Sequence, residues 1–305
     1  MLPVKARTHI DLLWRRLRSI NDELVHRLSA HGQNEFGGDS LEEAWEEFWL
    51  WNEEREEFGA DSAKNQLFGP FYLYNWYRDE DSDQPLIAPR NRTIAKDYLM
   101  AYGRGLPDLE RRFLEASIES PFSFHEVMEV IPGQGLVLKD VLLGTEVKVI
   151  EKSGSLSAQT GDLFFAKVVS VDHVAMLCGS GWIVMPPTSK RFVLEIRESI
   201  RDAMAEEGRL VNEEVLHEYD MELRELFLDL QKSLLAPPTL TNTDGDLLAF
   251  HRITYEITSA QKAFDALKSL SLMMSEKDML EDAEFDPASA LPSSGGSVFA
   301  ARDRS

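Results

Sequence analysis

Apolar residues recur every three or four positions at Ile10, Leu13, Leu17, Ile20, Leu24 and Leu28, the spacing that lines one face of a 3.6-residue helix. A second stripe, Leu41, Ala44, Trp45, Phe48 and Trp49, begins behind Ser40, with Glu43 three residues on. That pair has the form of a capping box, in which hydroxyl and carboxylate each satisfy a free amide at the helix start. Thr93 opens a third helix, with Ile94, Tyr98, Leu99 and Tyr102 inward and Gly103 and Gly105 to end it. A fourth is predicted over Asp108 to Ser120, closed by Pro121.

Between residues 121 and 186 the period changes from helical to alternating. Phe124 to Ile131 reads as a strand, and Pro132, Gly133, Gln134 and Gly135 as a turn leading to Leu136, Leu138 and Val141. Leu143-Gly144-Thr145 suggests a hairpin into Glu146 to Glu151, where apolar and charged residues alternate. After a polar loop over Ser153 to Thr160, Leu163 to Val171, His173 to Leu177 and Trp182 to Met185 complete five or six short strands, the make-up of a small barrel. Helical spacing then returns with Phe192, Ile196 and Ile200. After Gly208 it resumes with Val215, Leu216, Leu223, Leu226, Phe227 and Leu230.

Pro237 and Pro238 mark a boundary. Beyond it Leu247 to Ile257 reads as a strand, and Ser259 as the cap of a helix carrying Ala263, Phe264, Leu267 and Leu270. The fold class expected is α+β: a helical region over 1–120, a β-barrel-like module over 121–186 and a helical pair over 187–236. An incomplete α/β unit over 239–286 and a disordered Ser-, Ala-, Gly- and Pro-rich tail over 287–305 follow.

Composition narrows the functional classes. With 43% hydrophobic residues over 305 positions and no apolar run near the ~20 residues that span a bilayer, the chain reads as globular and without a membrane segment. The N-terminus passes straight into an amphipathic pattern with no secretory signal, so a cytoplasmic location is expected. Cys178 is the single cysteine, which excludes an intrachain disulfide and a thiolate metal cage. The net charge of −21 is uneven: residues 39–61 carry ten acids against Arg55 alone. A surface of that sign repels phosphate, so nucleic acid is not the expected partner.

Among candidate sites, the aromatics Phe71, Tyr72, Tyr74 and Trp76 together with the acids Glu42, Glu46 and Glu53 form a candidate surface for a basic or apolar protein partner. Core packing is the commoner role for such a cluster of rings. Arg15, Arg16 and Arg18 are the alternative, a basic helix face for nucleic acid, against the plain reading of a solvated face. Cys178 could pair with His173 or His125 as a nucleophile, but a thiol in an apolar strand is usually inert. The seven histidines show no metal-ligand spacing. Gly133/Gly135 and Gly179/Gly181 lead into strands rather than a phosphate-binding helix, so they read as turn residues. Asn242 to Asp246 has the start of a calcium loop, but His251 stands where its last ligand would be a Glu, so it reads as a turn.

The ordered succession Phe71-Tyr72-Leu73-Tyr74-Asn75-Trp76, Ser120 to Val127, Pro132 to Asp140, Gly161-Asp162-Leu163 and Asn242 to Asp246 resembles bacterial proteins of unknown function labelled SEC-C motif-containing, over roughly residues 40–270. That resemblance implies a chain ending in a Cys- and His-rich zinc cluster similar to the tail of the SecA translocase. Here no such cluster appears, no ligand is carried over and no cofactor is expected. The departure at Pro287 reads as a truncation or frameshift. The function expected is a non-enzymatic protein-interaction module, with nucleic-acid association and a cysteine-dependent enzyme as alternatives.

Overall fold

A computed structural model describes residues 4–52, 64–78 and 92–236, together with Ser259 and Lys262. The chain divides into two units, 1–236 and 237–305. In the second, the Ser259 hydroxyl accepts from the Lys262 amide at 3.5 Å, the bond expected of a helix cap. Glu53, the calcium-like turn, the strand over 247–257 and the tail from Pro287 lie outside the described residues.

The first unit is α+β, with helices on both sides of a barrel in chain order. Helix α1 (Val4–Phe36) is followed by α2 (Ser40–Phe48), α3 (Asn65–Tyr74), α4 (Ile94–Tyr102) and α5 (Asp108–Glu119). In α1 the predicted stripe buries Leu17, Leu24 and Leu28, with Ile10, Leu13 and Ile20 packed alongside. Thr93 caps α4 as predicted, accepting from the Lys96 amide. Tyr102, predicted inward, is half exposed at the last residue of α4.

The capping box does not form. Asp39, not Ser40, precedes α2, and its backbone carbonyl takes the Glu42 and Glu43 amides. Ser40 is buried and shares a hydrogen bond with the Tyr72 hydroxyl at 2.9 Å, while Glu43 accepts from Arg78 at 2.9 Å. Tertiary partners thus outcompete the local exchange, because a buried hydroxyl must keep a hydrogen bond whichever group supplies it.

Five strands follow: β1 (Phe122–Ile131), β2 (Gly135–Asp140), β3 (Glu146–Val149), β4 (Leu163–Val171) and β5 (Val174–Ser180). They close in the order β1-β2-β3-β5-β4. All ladders are antiparallel except β3 to β5, a parallel contact at Val149 and Ala175. Gly133 and Gly144 take positive φ in the two turns where the sequence placed them. Gly179 and Gly181 are not turn residues. Gly179 lies in β5, where a Cβ would meet Pro70 Cγ of α3 at 2.8 Å, and a Cβ on Gly181 would meet the Phe227 ring at 2.6 Å. Their missing side chains let helices approach the strand. Trp182 to Met185 makes no sixth strand; it contributes one bridge, Met185 to Leu163.

Alternation divides the barrel residues between two cores. Val127, Leu136, Leu138, Val149 and Ala175 fill the interior. Phe122, Phe124, Phe165, Val169 and Met176 face outward and join the core of the helices. Helix α6 (Lys190–Glu206) buries Val193, Ile200 and Met204, so Val193 rather than Phe192 leads its stripe. Gly208, at φ +72°, ends the turn after α6. The predicted helix over 212–235 breaks into α7 (Glu213–Glu218), capped by Asn212, and α8 (Asp220–Leu235).

Candidate functional site

The aromatic run of α3 is core, which corrects its place in the candidate surface. Phe71, Tyr72, Tyr74 and Trp76 are each 2% exposed, and Phe68, Tyr72 and Trp76 stack in series at 6.2 and 5.7 Å. Rings of that size each bury on the order of 150–250 Å², and the sequence places them where three helices and the barrel meet. Of the acids, Glu42 is exposed and Glu46 half-buried on α2.

The exposed aromatic surface lies at the other end of α2. Its last turn closes with the Leu50 amide on the Glu47 carbonyl and the Trp51 amide on the Glu46 carbonyl, both 2.9 Å. This pattern ordinarily uses glycine at its left-handed residue. Here Leu50 and Trp51 both take that conformation, at φ 54° and 53°, and Trp51 is left 60% exposed. Such strain on bulky residues costs of order 1 kcal/mol each and collects at functional positions. Beside it, Trp49 and Trp182 lie 5.9 Å apart with planes tilted 41°. The Lys64 ammonium sits 4.8 Å over the first ring and 5.6 Å over the second. The Trp49 and Trp182 indole N–H groups are buried and meet no hydrogen-bond acceptor.

A second cluster is enclosed between β4, α3 and α8. Lys167, fully buried, points out of the barrel and donates to the Ser120 carbonyl, with its ammonium over the Tyr74 and Phe122 rings. Burial lowers its pKa to about 7 against the pull of Cys178 and Asp220. Burial raises Asp220, opposed by Arg224 and Lys167, and Asn75 donates to its carboxylate at 2.8 Å. Arg224 donates to the Glu47 carbonyl at 2.5 Å and lies 4.2 Å over Phe71. His217 is held down to about 4 by burial first and by Lys167 second. These groups reach one another, but Lys167 and Arg224 are at most 3% exposed, so the arrangement welds layers together rather than meeting substrate.

The same cluster bears on the cysteine reading. Cys178 faces this layer from β5, where its electrostatic neighbours are Lys167 and Tyr74. Burial pushes its thiol up to about 12, away from the nucleophilic thiolate. His125 stands on β1 within reach of Asp140, its pKa lowered by burial. Ser123 completes a Ser-His-Asp set by residue type only. Its hydroxyl donates to Asp140 Oδ1 at 2.9 Å, and the same oxygen takes the Leu142 and Leu143 amides at 2.8 and 2.9 Å. The carboxylate ties down the β2–β3 turn instead of orienting a base. Among the described residues no group of His, Cys, Asp and Glu could hold a metal ion.

Arg15, Arg16 and Arg18 are exposed on α1. Arg18 lies 5.3 Å over the Trp14 ring, and Asp11, Asp22 and Glu23 share the helix. The barrel closes as five-stranded Greek-key barrels do, a form whose β2–β3 face can take oligonucleotides or sugars. Here that outer face pairs Val137 with Lys148 and Lys139 with Glu146. These four residues include no aromatic ring on which a base could stack, and two lysines against Glu146 leave only one net positive charge, short of the basic groove that single strands need.

Comparison with known proteins reaches one part of this architecture. Residues 90–210 match a family of unknown function, DUF7986. The matched segment contains α4, α5, the whole barrel and α6. No curated protein and no solved structure matches the chain. Among the described residues no helix is long and apolar enough to cross a membrane.

Sequence reasoning missed Lys64, Trp49 and Trp182 as neighbours, and missed the buried Lys167–Asp220–Arg224 group. The separations within each group are long, and periodicity reports only which face a residue occupies on its own element. One signal was readable: Trp182 follows Gly179-Ser180-Gly181, outside any alternating run.

Proposed function

We propose that this chain is a non-enzymatic, cytoplasmic protein-interaction module, related to the SEC-C motif-containing proteins, that takes a basic segment of a partner protein at the C-terminal end of α2. The observation that carries this reading is Trp51, held 60% exposed by a left-handed backbone at the end of a helix with acids and no base. An aromatic anchor beside same-sign charge suits a cationic, partly apolar partner, because rings supply contact area while complementary charge steers the approach.

The test is recovery of partners from host extract on the immobilised full chain, side by side with Trp51→Ser and Glu46→Lys variants. A basic protein that saturates the wild-type chain and is lost from both variants is expected. Identical recoveries on all three baits, or none on any, would defeat the proposal.

A further inference from the structure

Resting on that reading, we infer that the Trp49–Trp182 cleft is a binding pocket for one lysine or arginine side chain of the basic partner, and that Lys64 occupies it as the chain's own placeholder. Two indoles at 5.9 Å offer two π-faces to one cation, and a cation already sits over both. Attraction of a cation to an indole face is the strongest of its kind among side chains, and it grows as water leaves the site.

Lys64 is a poorly matched occupant. It stands at the N-cap of α3, with no side-chain cap bond, where the helix dipole presents its positive end. A cation there is disfavoured, whereas Ser, Thr, Asp or Asn would cap the helix. The acids of α2, Glu42, Glu43, Glu46 and Glu47, lead up to Trp49 and set a field that draws a basic segment in. Glu43 is engaged by Arg78.

The two indole N–H groups supply an independent pointer. Buried donors without acceptors are rare and cost roughly 1–3 kcal/mol each. A peptide brings backbone carbonyls along with its side chain and can satisfy them. Trp14 shares the buried, unsatisfied indole N–H and has Arg18 and Lys152 over it at 5.3 and 4.8 Å, so the pairing of two indoles under one cation is what sets Trp49 and Trp182 apart.

The experiment follows the indole N–H signals of the full chain during titration with a peptide of alternating lysine and glycine, with a glutamine-glycine peptide as control. The lysine peptide should move the Trp49 and Trp182 signals and the glutamine peptide should not. Lys64→Met keeps the length of the side chain but removes the competitor, so it should tighten binding by about threefold or more, the gain from freeing a competent state. Trp182→Phe keeps a ring against Phe227 and should weaken binding. Still indole signals, or equal affinity with and without Lys64, overturn the inference. Shifts confined to α2 amides overturn the pocket but keep the partner reading. Moving indoles with no partner recovered from the host keep the pocket and sink the partner reading.

Discussion

The cluster inside the barrel is mainly aliphatic, Val127, Leu136, Leu138, Val149 and Ala175 with Phe164 packed against it, and the polar pair His125 and Asp140 shares its face at one end of β1 and β2. Outside, the same sheet presents Phe122, Phe124, Phe165 and the ammonium of Lys167 to the helices, and α8 answers with Phe227, Asp220 and Arg224. The inner space is closed on all sides by strands, so every layer must be filled by side chains of matching volume. The outer layer joins elements far apart in the chain, where rings cover the wide gaps and ion pairs hold one register. The difference separates packing that makes the barrel from packing that fixes what the barrel is attached to.

The largest expected effect breaks the outer layer. Asp220→Ala leaves Lys167 and Arg224 with one fewer buried counter-charge, and losing one member of such a group costs about 3–5 kcal/mol. Denaturant unfolding should show that loss, and a much smaller one in a Lys167→Met background, because the two residues are coupled. Equal losses in both backgrounds would mean that Asp220 serves Arg224 alone. Leu138→Ala breaks the inner core instead, with an expected loss of about 2–5 kcal/mol. That loss should be indifferent to the residue at 167, since Leu138 faces the barrel interior and Lys167 faces away from it.

Gly181→Ala tests the junction itself. Its new methyl would meet Phe227, which stacks on Phe165 at 5.1 Å, so α8 must shift against the barrel. Overpacking of this kind costs about 1–3 kcal/mol. Smaller still in the folded ground state, the variant should retain barrel amide protection against hydrogen exchange while protection of α8 falls. A uniform loss across both would show that the layers unfold as one.

How much of this was legible follows the same division. Helices α1, α2, α4 and α5, the strand-rich stretch and the turns at Gly133 and Gly144 were readable, because period and turn chemistry are local properties; α3, an almost unbroken apolar run with Pro70 inside it, was not read as a helix. The glycines Gly179 and Gly181 were misassigned for the complementary reason: what makes them glycine is Pro70 and Phe227, more than forty residues away on either side. Ser40 and Glu43 satisfied a local capping rule that Tyr72 and Arg78 overrode. The α3 rings could be recognised as core by type, but Lys167 could not. On β4 it sits in an alternating pattern where a lysine signals solvent, and only the helices stacked over that face reverse its meaning.

Lys167→Met carries the comparison to its finest point, because it converts one outer-layer residue to the chemistry of the inner core. Replacement of a buried charge by an apolar side chain of similar length is often neutral or stabilising. The sign with pH is fixed by linkage. Folding lowers the Lys167 pKa from 10.5 to about 7, so between those values the unfolded chain holds a proton that the folded chain does not. Stability contributed at this site therefore rises as pH goes from about 7 to 10.5, and below 7 the penalty of the buried ammonium is fully present. His217, lowered from 6.5 to about 4 by burial, Lys167 and Lys96, adds a second rise between about 4 and 6.5, and Asp220, raised by burial, opposes it just above 3.8. Melting temperature against pH should thus climb from about 7 to 9 in the wild-type chain and stay level there in Lys167→Met; above 9 Cys178, raised from 9.0 to about 12, opposes the rise, so the wild-type profile flattens and that of the variant falls. The variant should also lose part of the acid-side rise, because His217 no longer faces an ammonium. A wild-type profile already level from about 7 to 9 would place a permanent charge on Lys167 and make the outer layer ionic throughout.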